Sequence, residues 1–180
     1  NVITVFTQQG TKIPEISRAV YSALQERSIG IGMLGWHALL QSKMIPFESV
    51  LAASLNKQIW QKMNTEAKQK TIELAKTRGP CPDSVGSSTP VRNAHLFAIA
   101  PNASSSIILN TSPSIEPYRA NVYLEKGVNG TKVHKNKYLE ALLEQKGQNT
   151  QEVWRDIIAN DGSVADIDCL NEWEKDVFKT

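Results

Sequence analysis

The chain has 180 residues, of which 41% are hydrophobic and 21% are charged. This composition is typical of a folded globular domain, or of a piece of one, and excludes a disordered or fibrous chain. The formal net charge of +2 is too small to predict binding to nucleic acid or to an anionic membrane surface. The longest apolar runs are far shorter than the roughly 18 residues that cross a bilayer. We therefore expect neither nucleic acid nor membrane among its partners.

The thiol and imidazole side chains are scattered along the sequence. Cys81 and Cys169 are isolated and lack CxxC spacing, which is typical of a protein in a reducing cytosol and predicts a cytoplasmic location. The histidines at positions 37, 95 and 134 have no ligand-like spacing, so we expect no metal site. His37 is expected to be a packed, hydrogen-bonded residue on a helix face rather than a catalyst.

The segment GIGMLG, Gly30 to Gly35, has the G-x-G-x-x-G spacing of dinucleotide-binding turns. Such a turn needs an apolar strand before it and an acidic residue about 20 positions after it, for the ribose hydroxyls. The preceding YSALQERSI is too polar for a buried strand, and Glu48 is too close for the ribose role. We interpret these glycines as residues that permit a tight turn and close backbone packing.

Helices are predicted over most of the first half of the chain. Residues 15–26 form a short helix, and a second follows the glycines in MLGWHALLQSK. The strongest pattern comes after Pro46, where the apolar residues that recur about every fourth position are Leu51, Leu55, Ile59, Met63, Ala67 and Leu74. This helix is expected to end at Arg78, Gly79 and Pro80 and to turn its apolar stripe towards the core.

The most informative local pattern is a strand, a polar turn and a helix. AHLFAIAP is continuously apolar, as in parallel strands covered on both faces, and NASSSIILN follows it directly. Where a helix begins, its first backbone N–H groups lack intrahelical partners and favour an anion, most often phosphate. Asn102 and the serines after it are also ordinary helix-capping residues. Both a phosphate-binding turn and a simple helix cap therefore stay open on local chemistry.

The last third of the sequence is helical with clear boundaries. KYLEALLEQKG is predicted to form a helix that ends at Gly147. NTQEVWRDIIANDG begins at an Asn149 or Thr150 cap and ends near Gly162. SVADIDCLNEWEKDVF is predicted to begin a further helix.

Three segments in order resemble the large (alpha) subunit of class I ribonucleoside-diphosphate reductase. They are RSIGIGMLGWHALLQSKMIPFES, TRGPCPD and RNAHLFAIAPNASSSIILNTSPSIEP, and the similarity continues to the last 18 residues, which end in LNEWEKDVFKT. The resemblance implies an α/β fold: part of the ten-stranded α/β barrel of this subunit, with a helix-rich C-terminal third. Residues 1–180 would form a single piece of the barrel domain, incomplete at both ends.

The resemblance also implies a role for the turn after the apolar strand, which holds the substrate diphosphate in this family. The implied substrate-binding residues are Pro101, Asn102, Ala103, Ser104, Ser105 and Ser106. Family members differ at the position of Ala103, so contacts there are expected from the backbone. Neither Cys81 nor Cys169 matches a radical or redox cysteine of the family. We therefore expect no catalytic residue in this chain.

The thiyl-radical chemistry would then belong to segments outside this sequence. Its cysteine, asparagine and glutamate are expected before Asn1, and the radical-transfer tyrosines and cysteine tail beyond Thr180. The resemblance implies no cofactor on this chain: a metal-containing small subunit would supply the radical, and ATP or deoxynucleotide effectors would bind the N-terminal part.

The implied partners are the rest of the alpha subunit, a second alpha subunit, the small (beta) subunit, a ribonucleoside diphosphate, and thioredoxin or glutaredoxin. The chain alone is expected to be inactive, as a fragment or as the product of a split gene. Alternatives are a non-catalytic phosphate- or nucleotide-binding module and a structural remnant.

Overall fold

The computed structural model describes residues 2–127 and 130–180. The helices are α1 (Val2–Gly10), α2 (Ser17–Glu26), α3 (Trp36–Ser42), α4 (Val50–Arg78), α5 (Ala103–Ile108), α6 (Lys137–Gln145), α7 (Gln151–Ala159) and α8 (Glu172–Val177). Short 3-10 helices span Pro14–Ile16 and Pro82–Ser84, and the strands are β1 (Val122–Gly127) and β2 (Gly130–Lys135). The chain divides into two compact units, Asn1–Gly32 with Lys57–Ile99, and Met33–Asn56 with Ala100–Thr180.

In the first unit the glycine segment allows two stretches of backbone to lie side by side. Ile31 and Phe97 form a parallel bridge, in which the Ile31 N–H donates to the Leu96 carbonyl at 2.8 Å. A Cβ on Gly30 would lie 2.9 Å from the Ala98 Cβ, and one on Gly32 would overlap the Ala98 carbonyl oxygen. The expectation that these glycines serve close backbone packing is therefore confirmed.

The predicted buried strand AHLFAIAP is wrong in its extent and burial. Among the described residues only Phe97 of this segment is bridged, and Ala98, Ile99 and Ala100 are exposed. Parallel strands persist when they are paired on both edges and covered on both faces. Here the segment pairs with a single short stretch, residues 29–31, so it stays extended without becoming a strand.

The long helix α4 is confirmed, together with its end. Arg78 lies in its last turn, and Gly79 follows with a left-handed φ of +80° that most residues avoid. The predicted apolar stripe is less buried than expected. Leu51 is 56% exposed, and the stripe residues that are half-buried are Leu55, Ile59, Met63, Ala67 and Leu74.

The buried residues of α4 are small. They are Ala52, Thr71 and Ala75. Small side chains let neighbouring backbone come close, and the larger apolar side chains of this helix then remain at the edge of the contact. Trp60 illustrates this, because its ring lies edge-on to Phe97, 5.9 Å between centroids, while the residue is only half-buried.

The second unit contains the principal apolar core. Its buried residues come from β1, α6, α7, α8 and the turns before α8: Val122, Leu139, Leu143, Trp154, Ile157, Val164, Ile167, Leu170, Val177 and Phe178. The ammonium of Lys135 on β2 lies 4.6 Å from the centre of the Trp154 ring, which joins the hairpin to α7. The core is thus formed by short elements that only bury their apolar faces together.

The helix boundaries in this unit follow the polar residues of the sequence. Thr150 caps α7 by accepting a hydrogen bond from the Val153 N–H, and Gly147 follows α6 with φ +66°, both as predicted. The final helix begins later than expected, at Glu172. Asn171 and Glu174 form a reciprocal capping box there, while the preceding apolar residues lie in turns.

The antiparallel hairpin of β1 and β2 has no counterpart among the predicted elements. Its register pairs Val122 with Lys135 and Gly127 with Gly130. The Tyr123 and His134 rings, on adjacent strands, stack with their centroids 4.9 Å apart. The dipeptide Asn129-Gly130 between alternating apolar residues is a hairpin signal that could have revealed it.

The contact between Gly32 and Ala98 leads to a test of the first unit. We expect Gly32→Ala to lower the free energy of unfolding by roughly 2–3 kcal/mol, because the new Cβ meets a backbone carbonyl that cannot rotate away. The control is Gly86→Ala, where φ is +89° but nothing lies within 4 Å of the new Cβ. Its expected cost is about 1 kcal/mol. Equal losses in urea unfolding would contradict the close-packing explanation.

Candidate functional site

The predicted phosphate-binding turn, residues 101–106, lies in the second unit and leads into α5. Asn102 adopts a left-handed backbone (φ +52°, ψ +32°), which asparagine tolerates better than most residues. Its carbonyl accepts the N–H of Ser106 at 2.9 Å, the first hydrogen bond of the helix. This sharp turn sets the direction in which α5 begins.

The expected capping by Asn102 is wrong in its detail. Its side-chain amide donates to the Ala100 carbonyl at 3.0 Å and accepts nothing from the helix. Because the left-handed backbone turns the side chain back along the incoming chain, it stabilises the turn and leaves the helix end open. Ser106 is also turned inward: it is 4% exposed, and its hydroxyl donates to the Ala103 carbonyl at 2.8 Å.

The open end of α5 presents donors without partners. Within the described chain, the backbone N–H groups of Ala103, Ser104 and Ser105 form no hydrogen bond, and neither do the hydroxyls of the two serines. All three residues are exposed, as is Pro101. Of the six predicted site residues, four therefore face outward, Asn102 is half-buried and Ser106 is buried.

The segment after α5 forms hydrogen bonds with the start of α3. The Gly35 N–H donates to the Ser112 carbonyl at 2.9 Å, and the Ala38 N–H donates to the Ser112 hydroxyl at 3.1 Å. A Cβ on Gly35, which has φ +84°, would lie 2.6 Å from the Thr111 hydroxyl oxygen. The last glycine of GIGMLG thus positions the residues that follow α5 and helps to fix the candidate turn.

His37 on α3 is the centre of a buried polar cluster in the same unit. Its Nδ1 accepts the Tyr118 N–H at 2.9 Å, so the ring proton is on Nε2, which faces the Val177 carbonyl at 3.3 Å. The side chain is fully buried, beside Phe47 and Tyr118. The expectation of a packed, hydrogen-bonded histidine is confirmed.

Burial controls the protonation of His37. Loss of solvation lowers the pKa of His37 from its ordinary value near 6.5 to about 4, and the hydrogen bond with the Val177 carbonyl offsets part of this effect. A second proton would also have to occupy Nδ1, where the Tyr118 N–H already donates. The imidazole is therefore neutral at pH 7.

Two buried asparagines extend this cluster and were not identified from the sequence. Asn136 donates to the Gln41 side-chain oxygen at 2.8 Å and to the Asn121 side-chain oxygen at 2.9 Å. Asn121 donates in turn to the carbonyls of Gly162 and Phe178. Asn136 also caps α6, and an asparagine directly before an apolar helical run was the available signal.

The described residues were compared with the requirements of a metal centre and of a membrane span. Among residues 2–127 and 130–180, no group of three or more His, Cys, Asp or Glu side chains could hold a metal ion. No helix in that part of the chain is both long and apolar enough to cross a bilayer.

Comparison with known proteins decides the family. Residues 4–89 and 84–180 match the family described as "Ribonucleotide reductase, barrel domain". The chain belongs to this family. The suspected relationship and the expected fold, part of an α/β barrel of the reductase large subunit, are thereby confirmed.

Individual reductase sequences match along most of the chain. It is 46% identical over 184 residues to the ribonucleoside-diphosphate reductase large subunit of Invertebrate iridescent virus 3, covering 100% of this chain and 29% of the relative. It is 31% identical to the large subunit of Danio rerio, covering 92% of this chain and 25% of that protein. The chain thus spans less than a third of these curated relatives.

A solved reductase structure also matches the fold. The Actinobacillus ureae class Id ribonucleotide reductase alpha subunit is 38% identical, with a TM-score of 0.90. The match covers 99% of this chain and 32% of that one. The arrangement of helices described above is therefore that of a segment of a reductase alpha subunit.

The buried histidine predicts a pH-dependent stability. The folded-state pKa of His37 is below its unfolded value. The contribution of the neutral imidazole to the free energy of unfolding is therefore complete above about pH 6.5 and is lost as pH falls towards 4. We expect a loss of roughly 2–3 kcal/mol over this window in urea unfolding. His37→Gln should flatten this part of the profile, whereas His95→Gln, at an exposed position, should not. An unchanged profile in His37→Gln would refute the assignment.

The asparagine cluster predicts a large effect from one buried amide. Asn136→Ala removes two buried hydrogen bonds and the cap of α6, so we expect a loss of roughly 2–4 kcal/mol in unfolding free energy. Gln145→Ala, at the exposed end of the same helix, is the control and should stay within about 0.5 kcal/mol of the parent. Similar losses in both variants would show that the network contributes little.

Proposed function

We propose that the chain works as part of a ribonucleoside-diphosphate reductase, in the conversion of ribonucleoside diphosphates to deoxyribonucleoside diphosphates for DNA synthesis. Its own contribution is a section of barrel wall and the turn at residues 101–106, which binds the substrate diphosphate. The observation that carries the proposal is the open N-terminus of α5 in a chain of the reductase barrel family.

The donors at this turn suit a diphosphate. Three consecutive backbone N–H groups, from Ala103 to Ser105, are exposed and unpaired within the described chain, and two serine hydroxyls stand beside them. Oxyanions accept such hydrogen bonds strongly, and the partial positive charge of a helix N-terminus adds to the attraction. Pro101 and the left-handed Asn102 restrict the backbone before the donors, so little ordering is required on binding.

In this proposal the turn binds and orients the substrate diphosphate through neutral hydrogen-bond donors. Cys81 is completely buried and Cys169 is partly buried against the apolar core, which suits structural thiols. The radical chemistry is assigned to other segments of the large subunit and to a small radical-generating subunit. Further partners in this proposal are a second large subunit and thioredoxin or glutaredoxin, in the cytoplasm.

The experiment is a complementation assay for deoxynucleotide formation from a labelled ribonucleoside diphosphate. We expect no product from this chain alone. Product should form when the upstream and downstream parts of the large subunit and a radical-generating small subunit are added. A mixture whose pieces co-elute but form no product would contradict the proposal and favour a non-catalytic binding module.

The candidate turn is tested within the active mixture. In Ser104→Ala with Ser105→Ala we expect KM for the diphosphate to rise about tenfold with little change in kcat, because two donors to the bound substrate are removed. Ser54→Ala, at an exposed position on α4, is the control and should leave KM unchanged. An unchanged KM in the double variant would locate the diphosphate contacts elsewhere or restrict them to the backbone.

A further inference from the structure

Arg27, the residue that ends α2 in the first unit, has a buried side chain with incomplete hydrogen bonding. The residue is 8% exposed and adopts a left-handed backbone with φ +49°. One terminal nitrogen donates to the Thr4 hydroxyl at 3.0 Å. The Nε–H is completely buried and has no partner among the described residues.

A guanidinium in this position is costly for the fold. Arginine does not lose its proton in proteins, so the side chain remains a cation when it is buried. A buried charge normally has an opposite charge beside it, because it loses hydration that a hydroxyl alone does not replace. Among the described residues, the guanidinium has the hydrogen bond with Thr4 and an Nε–H without a partner, so part of this cost is uncompensated.

The nearby acidic side chain is already engaged by other groups. Glu26 precedes Arg27, but its carboxylate accepts the Ser28 hydroxyl at 3.0 Å and lies 3.6 Å from His95 Nδ1. Within residues 2–127 and 130–180, no ion pair involves Arg27 or its neighbour in space, Arg92. The positive charge is thus unbalanced in this part of the structure.

A second arginine lies close to the first. Asn93 donates its side-chain amide to the Arg27 carbonyl at 2.7 Å, and Arg92 is the residue before it. The Arg92 guanidinium donates to the neutral Gly79 carbonyl at 3.0 Å. Burial lowers the pKa of Arg92, and the charges of Arg27 and Arg78 lower it further. The positive charges of these guanidinium groups therefore repel one another.

We propose that Arg27 and Arg92 form a binding site for an oxyanion, a carboxylate or a phosphate group, from outside the described residues. The Nε–H of Arg27, which has no partner among the described residues, and a terminal N–H have the planar fork geometry that binds two oxygens of such a group. Binding requires the oxyanion to displace the side chains that cover the Nε–H. Arg92 adds a second positive charge. This site lies in the first unit and does not depend on the turn at residues 101–106 in the second.

The test measures the thermal unfolding of the 180-residue chain in sodium chloride, sodium acetate and sodium phosphate, at pH 7 and equal ionic strength. We expect acetate, phosphate or both to raise the melting temperature above its value in chloride. The rise should saturate with anion concentration and reach about 2–4 °C at concentrations several times Kd. A rise in phosphate alone identifies a phosphate site. A rise in acetate as well identifies a carboxylate site.

Variants assign the effect to the arginines. Arg27→Gln should abolish the rise, whereas Arg18→Gln, exposed on the same helix, should keep it. These variants are made in the Ser104→Ala, Ser105→Ala background, which weakens phosphate binding at the proposed substrate turn, so that the rise compared between them reports the arginine site. If Arg27→Gln fails to fold, Arg92→Gln is judged by the same criterion. The proposal is overturned if acetate and phosphate act like chloride, or if the rise survives loss of the arginine.

Discussion

Hydrogen bonds between buried amide side chains hold the second unit together. Asn136 joins α3 to β1 through Gln41 and Asn121, and Asn121 joins the hairpin to the carbonyls of Gly162 and Phe178. The elements linked in this way are short, and none of them could bury an adequate apolar surface alone. Because each buried amide must have all its partners, the network permits one arrangement of the elements and so specifies the core around it.

The features that the sequence predicted well are local ones. The ends of α4 and α6 follow from glycine at a left-handed position, and the start of α7 follows from threonine at its cap; both signals act within one turn of helix. The strand predicted at residues 94–101 was overestimated because burial of a strand depends on neighbours far away in sequence. The late start of α8 has a similar cause, since Val164, Ile167 and Leu170 reach the core from turns.

The candidate turn could be located from the sequence, but its detailed geometry could not. The position after the apolar segment and the run of serines were sufficient to indicate the start of a helix, either capped or open to an anion. The direction of the Asn102 side chain depends on its left-handed backbone, which no local pattern predicted. As a result the amide stabilises the turn, and the donors that a cap would have occupied remain open to solvent. In the function proposed above, these open donors bind the substrate diphosphate.

The tryptophans have an uneven distribution that makes the two units optically different. Trp36 and Trp154 are buried in the second unit, where Trp173 is half exposed, whereas Trp60 belongs to the first. Intrinsic tryptophan fluorescence therefore reports mainly the second unit. Because the Lys135 ammonium lies above the Trp154 ring, this fluorescence is sensitive to the position of the hairpin against α7. Unfolding followed by fluorescence alone would weight this unit most heavily, and a backbone probe such as circular dichroism would be needed to see the long helix α4.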